Sequence, residues 1–168
     1  MERKIEYTKL QLVFLVLLRF SIGWHLLYEG VAKLMNPQWS ASGFLKESQW
    51  ILSGFARWIV SNPQILNAVD FLNTWGLIAI GLGLIFGLFS RAAAISGALL
   101  LFVYYLNCPP LTGIEYIRPS DGNNLVVDKT LIEAIALCVL ALFPTSRITG
   151  LDALIPDFKT RKRKGEVY

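Results

Sequence analysis

Residues 10–34 read LQLVFLVLLRFSIGWHLLYEGVAKL, and the fold turns on this stretch. Its first nine residues are almost wholly apolar, interrupted only by Gln11. At about 1.5 Å of helical rise per residue it is longer than a hydrocarbon core of roughly 30 Å. It is too long for the core of a signal peptide, and no small-residue cleavage site follows, so it reads as a retained membrane span. Asn36-Pro37 closes it, because proline cannot donate the next helical hydrogen bond.

Three further apolar segments follow. The second span is expected at about 73–90, and the third at about 91–107 after a sharp turn at Ser90-Arg91. The fourth is expected at about 125–143, ended by Pro144 and followed by a basic tail over 144–168. The two middle cores are short, so flanking residues must help them cross. The first long loop carries Trp39, Trp50 and Trp58, and it sets Ile51, Phe55, Trp58 and Ile59 at helical spacing. That spacing predicts a helix over 44–60 lying in the membrane interface or capping the bundle, with a second short helix over 63–73. The expected fold class is all-α: an integral membrane four-helix bundle in one domain, with an interfacial helical segment in the first long loop. Ala79, Gly83 and Gly87 form a small-residue stripe through which the second span is expected to pack closely.

Composition agrees with this reading. The chain has 168 residues, 54% hydrophobic and only 17% charged, which is unusual for a soluble domain of that size. The net charge of +4 is concentrated in Arg3, Lys4 and Lys9 at the start and in the cluster from Lys159 to Lys164 at the end. Basic residues beside membrane spans mark cytoplasmic flanks and meet anionic headgroups, so no nucleic-acid partner is expected. With Arg91 in the short turn, the same rule places both termini in the cytoplasm and the two long loops outside. The expected location is the inner (plasma) membrane, crossed several times. Cys108 and Cys138 form no CxxC and no zinc-spaced cluster, so neither a disulfide scaffold nor a metal site is expected.

The ionisable groups inside these segments carry the functional information. Along the first span Arg19, His25, Glu29 and Lys33 fall within one third of the helix circumference at about 100° per residue. Glu29 and Lys33 stand at i, i+4 in the favourable order and are expected to pair. Charge at mid-membrane costs several kcal/mol (about 3 or more) unless paired or wetted. Arg19 should therefore face the bundle interior, with Glu29 and Glu133 as counter-ions. One reading is a structural ion network. The other is a polar pocket, open to the outer leaflet, lined by Arg19, Tyr28, Lys33 and Glu133, in which His25 and Glu29 handle protons. Histidine as a residue type suits that task, since its unperturbed pKa lies near 6.5. Reduction of a quinone needs proton donors beside its carbonyl oxygens, and these residues supply them. Tyr104, Tyr105, Trp24 and Trp75 read as an interfacial aromatic belt rather than a ligand wall.

Three pieces of the chain resemble the DoxX/DoxD-like family of four-span membrane proteins. They are Arg19-Phe-Ser-Ile-Gly23 with Tyr28-Glu-Gly30-Val-Ala-Lys33-Leu34, then Gly81-Leu-Gly-Leu-Ile-Phe-Gly87-Leu-Phe-Ser-Arg91, then Gly150-Leu151-Asp152. The tryptophan-bearing first loop is similar to the DoxD side, the small subunit of thiosulfate:quinone oxidoreductase. The resemblance implies a quinone-linked membrane subunit partnered by a second oxidoreductase subunit that handles a sulfur substrate, with quinone the cofactor. A non-catalytic scaffold or assembly factor is the alternative. A homo-oligomer is left open, and the bilayer is a partner in either case.

Overall fold

The computed structural model describes residues 7–111 and 126–154. Their regular structure is helical: α1 (Lys9–Met35), α2 (Ser42–Lys46), α3 (Ser53–Ser61), α4 (Pro63–Phe86), α5 (Ser90–Asn107), α6 (Lys129–Leu142) and α7 (Ser146–Thr149), closed by a 3-10 turn at Leu151–Leu154.

Local chemistry sets most of the boundaries. Thr8 opens α1 with a reciprocal cap: the Gln11 backbone N–H donates to Thr8 Oγ1 at 3.3 Å, and the Thr8 N–H donates to Gln11 Oε1 at 3.0 Å. Pro63 stands in the first turn of α4, where no N–H is needed. Gly87 ends that helix at φ 65°, the left-handed conformation glycine adopts without a Cβ clash. Asp128 caps α6 by accepting the Leu131 N–H at 2.8 Å.

Three boundaries differ from expectation. The short helix expected over 63–73 and the span after it form one continuous helix, α4, because no proline separates them and a helix once nucleated propagates cheaply. The interfacial helix expected over 44–60 is two pieces, α2 and α3, with Ser48 buried in the break between them. The basic tail begins later than expected. Thr145 and Ser146 are buried and residues 145–154 fold back on the bundle, while the Lys159–Lys164 cluster lies outside the described residues.

The helices α1, α4, α5 and α6 share one apolar core. Leu26, Leu77, Leu84 and Leu137, one from each of α1 and α6 and two from α4, sit at its centre, joined by Ala94, Ala98 and Leu101 of α5. The α1–α4 crossing is a backbone contact. A Cβ on Gly81 would lie 2.6 Å from the Leu27 nitrogen and 2.7 Å from the Gly23 oxygen, and one on Gly30 would lie 2.7 Å from Ile78. The expected stripe of Ala79, Gly83 and Gly87 is not this interface. Ala79 is exposed, Gly83 faces Ala93 of α5, and Gly87 is the helix cap. Small-residue spacing identifies a face where helices approach, but not which neighbour arrives there.

The outer surface is apolar. Phe14, Leu17 and Phe20 of α1, Phe71 and Phe86 of α4, Leu99 and Phe102 of α5, and Ile132 and Ile135 of α6 all stand exposed. Contiguous apolar surface on that scale needs an apolar solvent. Both α1 and α4 are long and apolar enough to cross a membrane, and each satisfies its own backbone as lipid requires. The exposed rings of Phe55 and Trp58 on α3 stack at 5.7 Å, while Ala56 and Ile59 turn inward, which is the pattern of a helix lying in the interface.

Candidate functional site

His25, Glu29 and Lys33 stand four residues apart on α1, each about 6 Å of rise beyond the last. They face Glu133 from α6, Asn73 from α4 and Tyr104 from α5 across a cavity of about 470 Å³. That volume lies within the range of small-molecule sites. Leu26, Leu77 and Leu101 make its apolar floor, and Trp39, Ala41 and Phe44 cover it from the segment around α2.

The cover is tied down at three points. Asp70 accepts the Ala41 N–H at 2.8 Å, Asn107 Nδ2 donates to the Phe44 carbonyl at 3.2 Å, and the Phe44 ring meets Tyr104 edge-on at 5.6 Å between centroids. A cover held from both α4 and α5 fixes the shape of the site before any ligand enters, which limits the ordering cost of binding.

The central polar contact joins His25 Nδ1 to Glu133 Oε1 at 2.8 Å. The Glu133 side chain is 13% exposed and that of His25 43%. An ionised carboxylate at that distance holds the proton on Nδ1 and leaves Nε2 as the exchangeable nitrogen. When Nε2 is protonated, the same carboxylate stabilises the imidazolium.

Lys33 donates to Asn73 Oδ1 at 3.1 Å, and its ammonium lies 5.0 Å from the Trp39 ring centroid and 5.6 Å from that of Tyr104. Aromatic faces and an amide oxygen stabilise a cation withdrawn from water. The expected Glu29–Lys33 pair is thus replaced by a contact between α1 and α4. Glu29 remains exposed at the cavity.

Two residues expected in the pocket are elsewhere. Tyr28 is 64% exposed on the outer face of α1, because it precedes Glu29 by one position and so points about 100° away. Arg19 is 4% exposed but lies at the opposite end of the bundle, about 15 Å of helical rise below Glu29. Its Nη1 donates to Thr145 Oγ1 and its Nη2 to the Thr149 carbonyl, both at 3.1 Å. The expected ion network of Arg19 with Glu29 and Glu133 does not form, since axial distance overrides a shared helix face.

That opposite end is closed by Asp152. Its carboxylate accepts the N–H of Phe89 at 2.7 Å and of Ser90 at 3.2 Å, so it caps α5 from a remote part of the chain. Phe89 is held at φ 48°, in the left-handed region that a bulky side chain disfavours. Partial burial pushes the Asp152 pKa up, but hydrogen bonds from Ser146, Phe89 and Ser90 outweigh it and hold the pKa below the ordinary value. Gly150 lies against Gly87 so closely that a Cβ on it would stand 2.9 Å from the Gly87 oxygen. Gly150 and Asp152 therefore have structural work in the Gly150-Leu151-Asp152 tripeptide.

Asn73, Trp39 and Phe44 are cavity residues that the sequence did not disclose, and Tyr104 belongs here rather than to a surface belt. An amide inside an apolar helix was the available signal for Asn73. Trp24 and Trp75 do face outward.

An all-α molecule with an apolar exterior and a polar cavity walled by α1, α4, α5 and α6 is a helical membrane protein with an internal polar cavity. The family model described as DoxX matches residues 14–107, more than half of the chain. This protein belongs to the DoxX family. The match includes His25, Glu29, Lys33, Asn73 and Tyr104, while Glu133 lies beyond it. No curated protein and no solved structure matches the chain.

Proposed function

We propose that this DoxX protein is the quinone-binding subunit of a membrane oxidoreductase, with its cavity open to the outer side of the inner membrane and both termini in the cytoplasm. The observation that carries this reading is the His25–Glu133 couple at 2.8 Å in the wall of an apolar-floored cavity. The donor set fits a quinone. The floor of Leu26, Leu77 and Leu101 suits a ring and tail, the Tyr104 and Phe44 rings offer faces, and the polar groups stand along the sides where carbonyl oxygens need donors.

Bound quinone supplies two-electron redox chemistry, and the electrons arrive from a second subunit that oxidises the substrate. In the thiosulfate:quinone type that substrate is a sulfur compound. The residues of this chain handle the protons. His25 Nε2 would hold a proton at the cavity wall within reach of a ligand oxygen, and Glu133 would stabilise the imidazolium. Glu29, exposed at the cavity, relays protons from the aqueous side. Lys33, held by Asn73 and the two aromatic rings, adds positive potential that favours charge developing on the quinone oxygens.

The test is reconstitution in lipid nanodiscs with a short-chain ubiquinone, measuring binding and, with the partner subunit, quinone reduction. His25→Ala is expected to slow reduction about a hundredfold or more, the usual contribution of a positioned general acid, and Glu29→Gln to slow proton uptake. Unchanged binding and unchanged reduction in both variants would falsify the reading. Stable recovery of a partner with no quinone bound by the wild type would favour the scaffold role instead.

A further inference from the structure

We infer that Asn73 fixes the direction of the Tyr104 hydroxyl proton, so that Tyr104 donates a hydrogen bond to an acceptor oxygen of the bound ligand. The inference rests on the cavity reading above and deepens it. The Lys33 ammonium has donors only. Its contact at 3.1 Å therefore requires that Asn73 present Oδ1 to it. The carboxamide is planar, so Nδ2 is turned the other way, and there it meets the Tyr104 hydroxyl oxygen. An amide nitrogen can only donate. The phenol oxygen consequently accepts, and its own proton must leave on another side.

Among the described residues no protein atom accepts that proton. Tyr104 lines the cavity and its ring is held in place, edge-on to Phe44 at 5.6 Å and with the Lys33 ammonium over its face. A hydroxyl donor left without an acceptor in a partly buried site costs free energy until a ligand or water takes it. The chain Lys33–Asn73–Tyr104 thus converts a fixed cation on α1 into a neutral donor on α5. Together with Nε2 of a protonated His25 it gives the cavity donors on two helices, which selects a ligand with two acceptor oxygens over one that offers only N–H groups. Tyr104 is the residue that touches the ligand, and Asn73 is a positioning residue.

The experiment compares wild type, Tyr104→Phe, Asn73→Asp and the double variant, all in nanodiscs and checked for monodisperse elution. In Asn73→Asp a carboxylate oxygen replaces Nδ2 and takes the Tyr104 proton for itself, so the hydroxyl is present but turned away from the ligand. Tyr104→Phe and Asn73→Asp are each expected to weaken short-chain ubiquinone about fivefold, the effect of one neutral hydrogen bond. Each should also raise the infrared stretching frequency of one quinone carbonyl, and the double variant should show no further loss.

Without ligand, the Raman doublet of Tyr104, obtained as the difference from Tyr104→Phe, is expected to change from an accepting phenol in wild type to a donating one in Asn73→Asp. Wild-type affinity with both carbonyl frequencies unchanged in Tyr104→Phe overturns the inference. So does an identical doublet in wild type and Asn73→Asp. Failure of the wild type to bind quinone overturns the function proposed above, and the doublet then decides the direction of the proton alone.

Discussion

Arg19 shows how far a single charged residue can be read. It is buried, it donates to Thr145 and Thr149, and its Nε has no protein acceptor among the described residues. Arg19→Met removes two charge-assisted hydrogen bonds and strands the buried Thr145 hydroxyl. The expected loss is about 3 kcal/mol of stability, measured as thermal unfolding in detergent. The proposed quinone binding should not change, because Arg19 is outside the cavity, and a variant of normal stability with lost binding would refute this placement. From the sequence, Arg19 was correctly read as facing inward, because charge does not face lipid. Its partners were not legible. A helical wheel orders residues by angle and discards height, and height is what separates Arg19 from Glu29. His25, Glu29 and Lys33 were legible as a row for the same reason: spacing by four keeps both angle and neighbourhood.

At the scale of helices, the glycines of α4 divide into two kinds. A Cβ on Gly81 would meet the backbone of α1, whereas one on Gly76 would meet nothing within 4 Å. Gly81→Ala is expected to cost about 1–3 kcal/mol through overpacking. Gly76→Ala should be neutral or stabilise by up to about 1 kcal/mol through helix propensity. Thermal melts of the two variants side by side check this, and equal melting temperatures would refute it.

The remote cap of α5 predicts an acid dependence. Asp152 has a folded-state pKa below its unfolded value. Its stabilising contribution is therefore fully present above the ordinary carboxylate range and is lost as pH falls through the folded value. Asp152→Asn should cost about 1 kcal/mol near neutral pH, the usual worth of a helix cap, and should flatten that acidic limb of the stability curve. An acid profile identical to wild type would count against the cap. No local pattern could have revealed it, since Asp152 follows Ser90 by 62 residues. The tripeptide containing it was visible only as a resemblance.

Across the whole molecule, the apolar exterior predicts that the protein stays with membranes through alkaline carbonate washing and needs detergent for extraction. Orientation is tested by a reporter on the carboxyl terminus. It should become accessible to an impermeant reagent only after the inner membrane is opened, and labelling of intact spheroplasts would contradict the cytoplasmic placement. The sequence by itself determined that the chain is helical and belongs in lipid, because hydropathy and span length are sums over local residues and need no knowledge of neighbours. It also determined which ionisable groups must turn away from lipid. Only the tertiary structure decided how those groups divide. His25 meets Glu133 and Lys33 meets Asn73 at one end of the bundle, while Arg19 meets Thr145 and Asp152 caps α5 at the other. Such pairings depend on which helices pack side by side and at what height, and that is set by contacts between residues far apart in the chain.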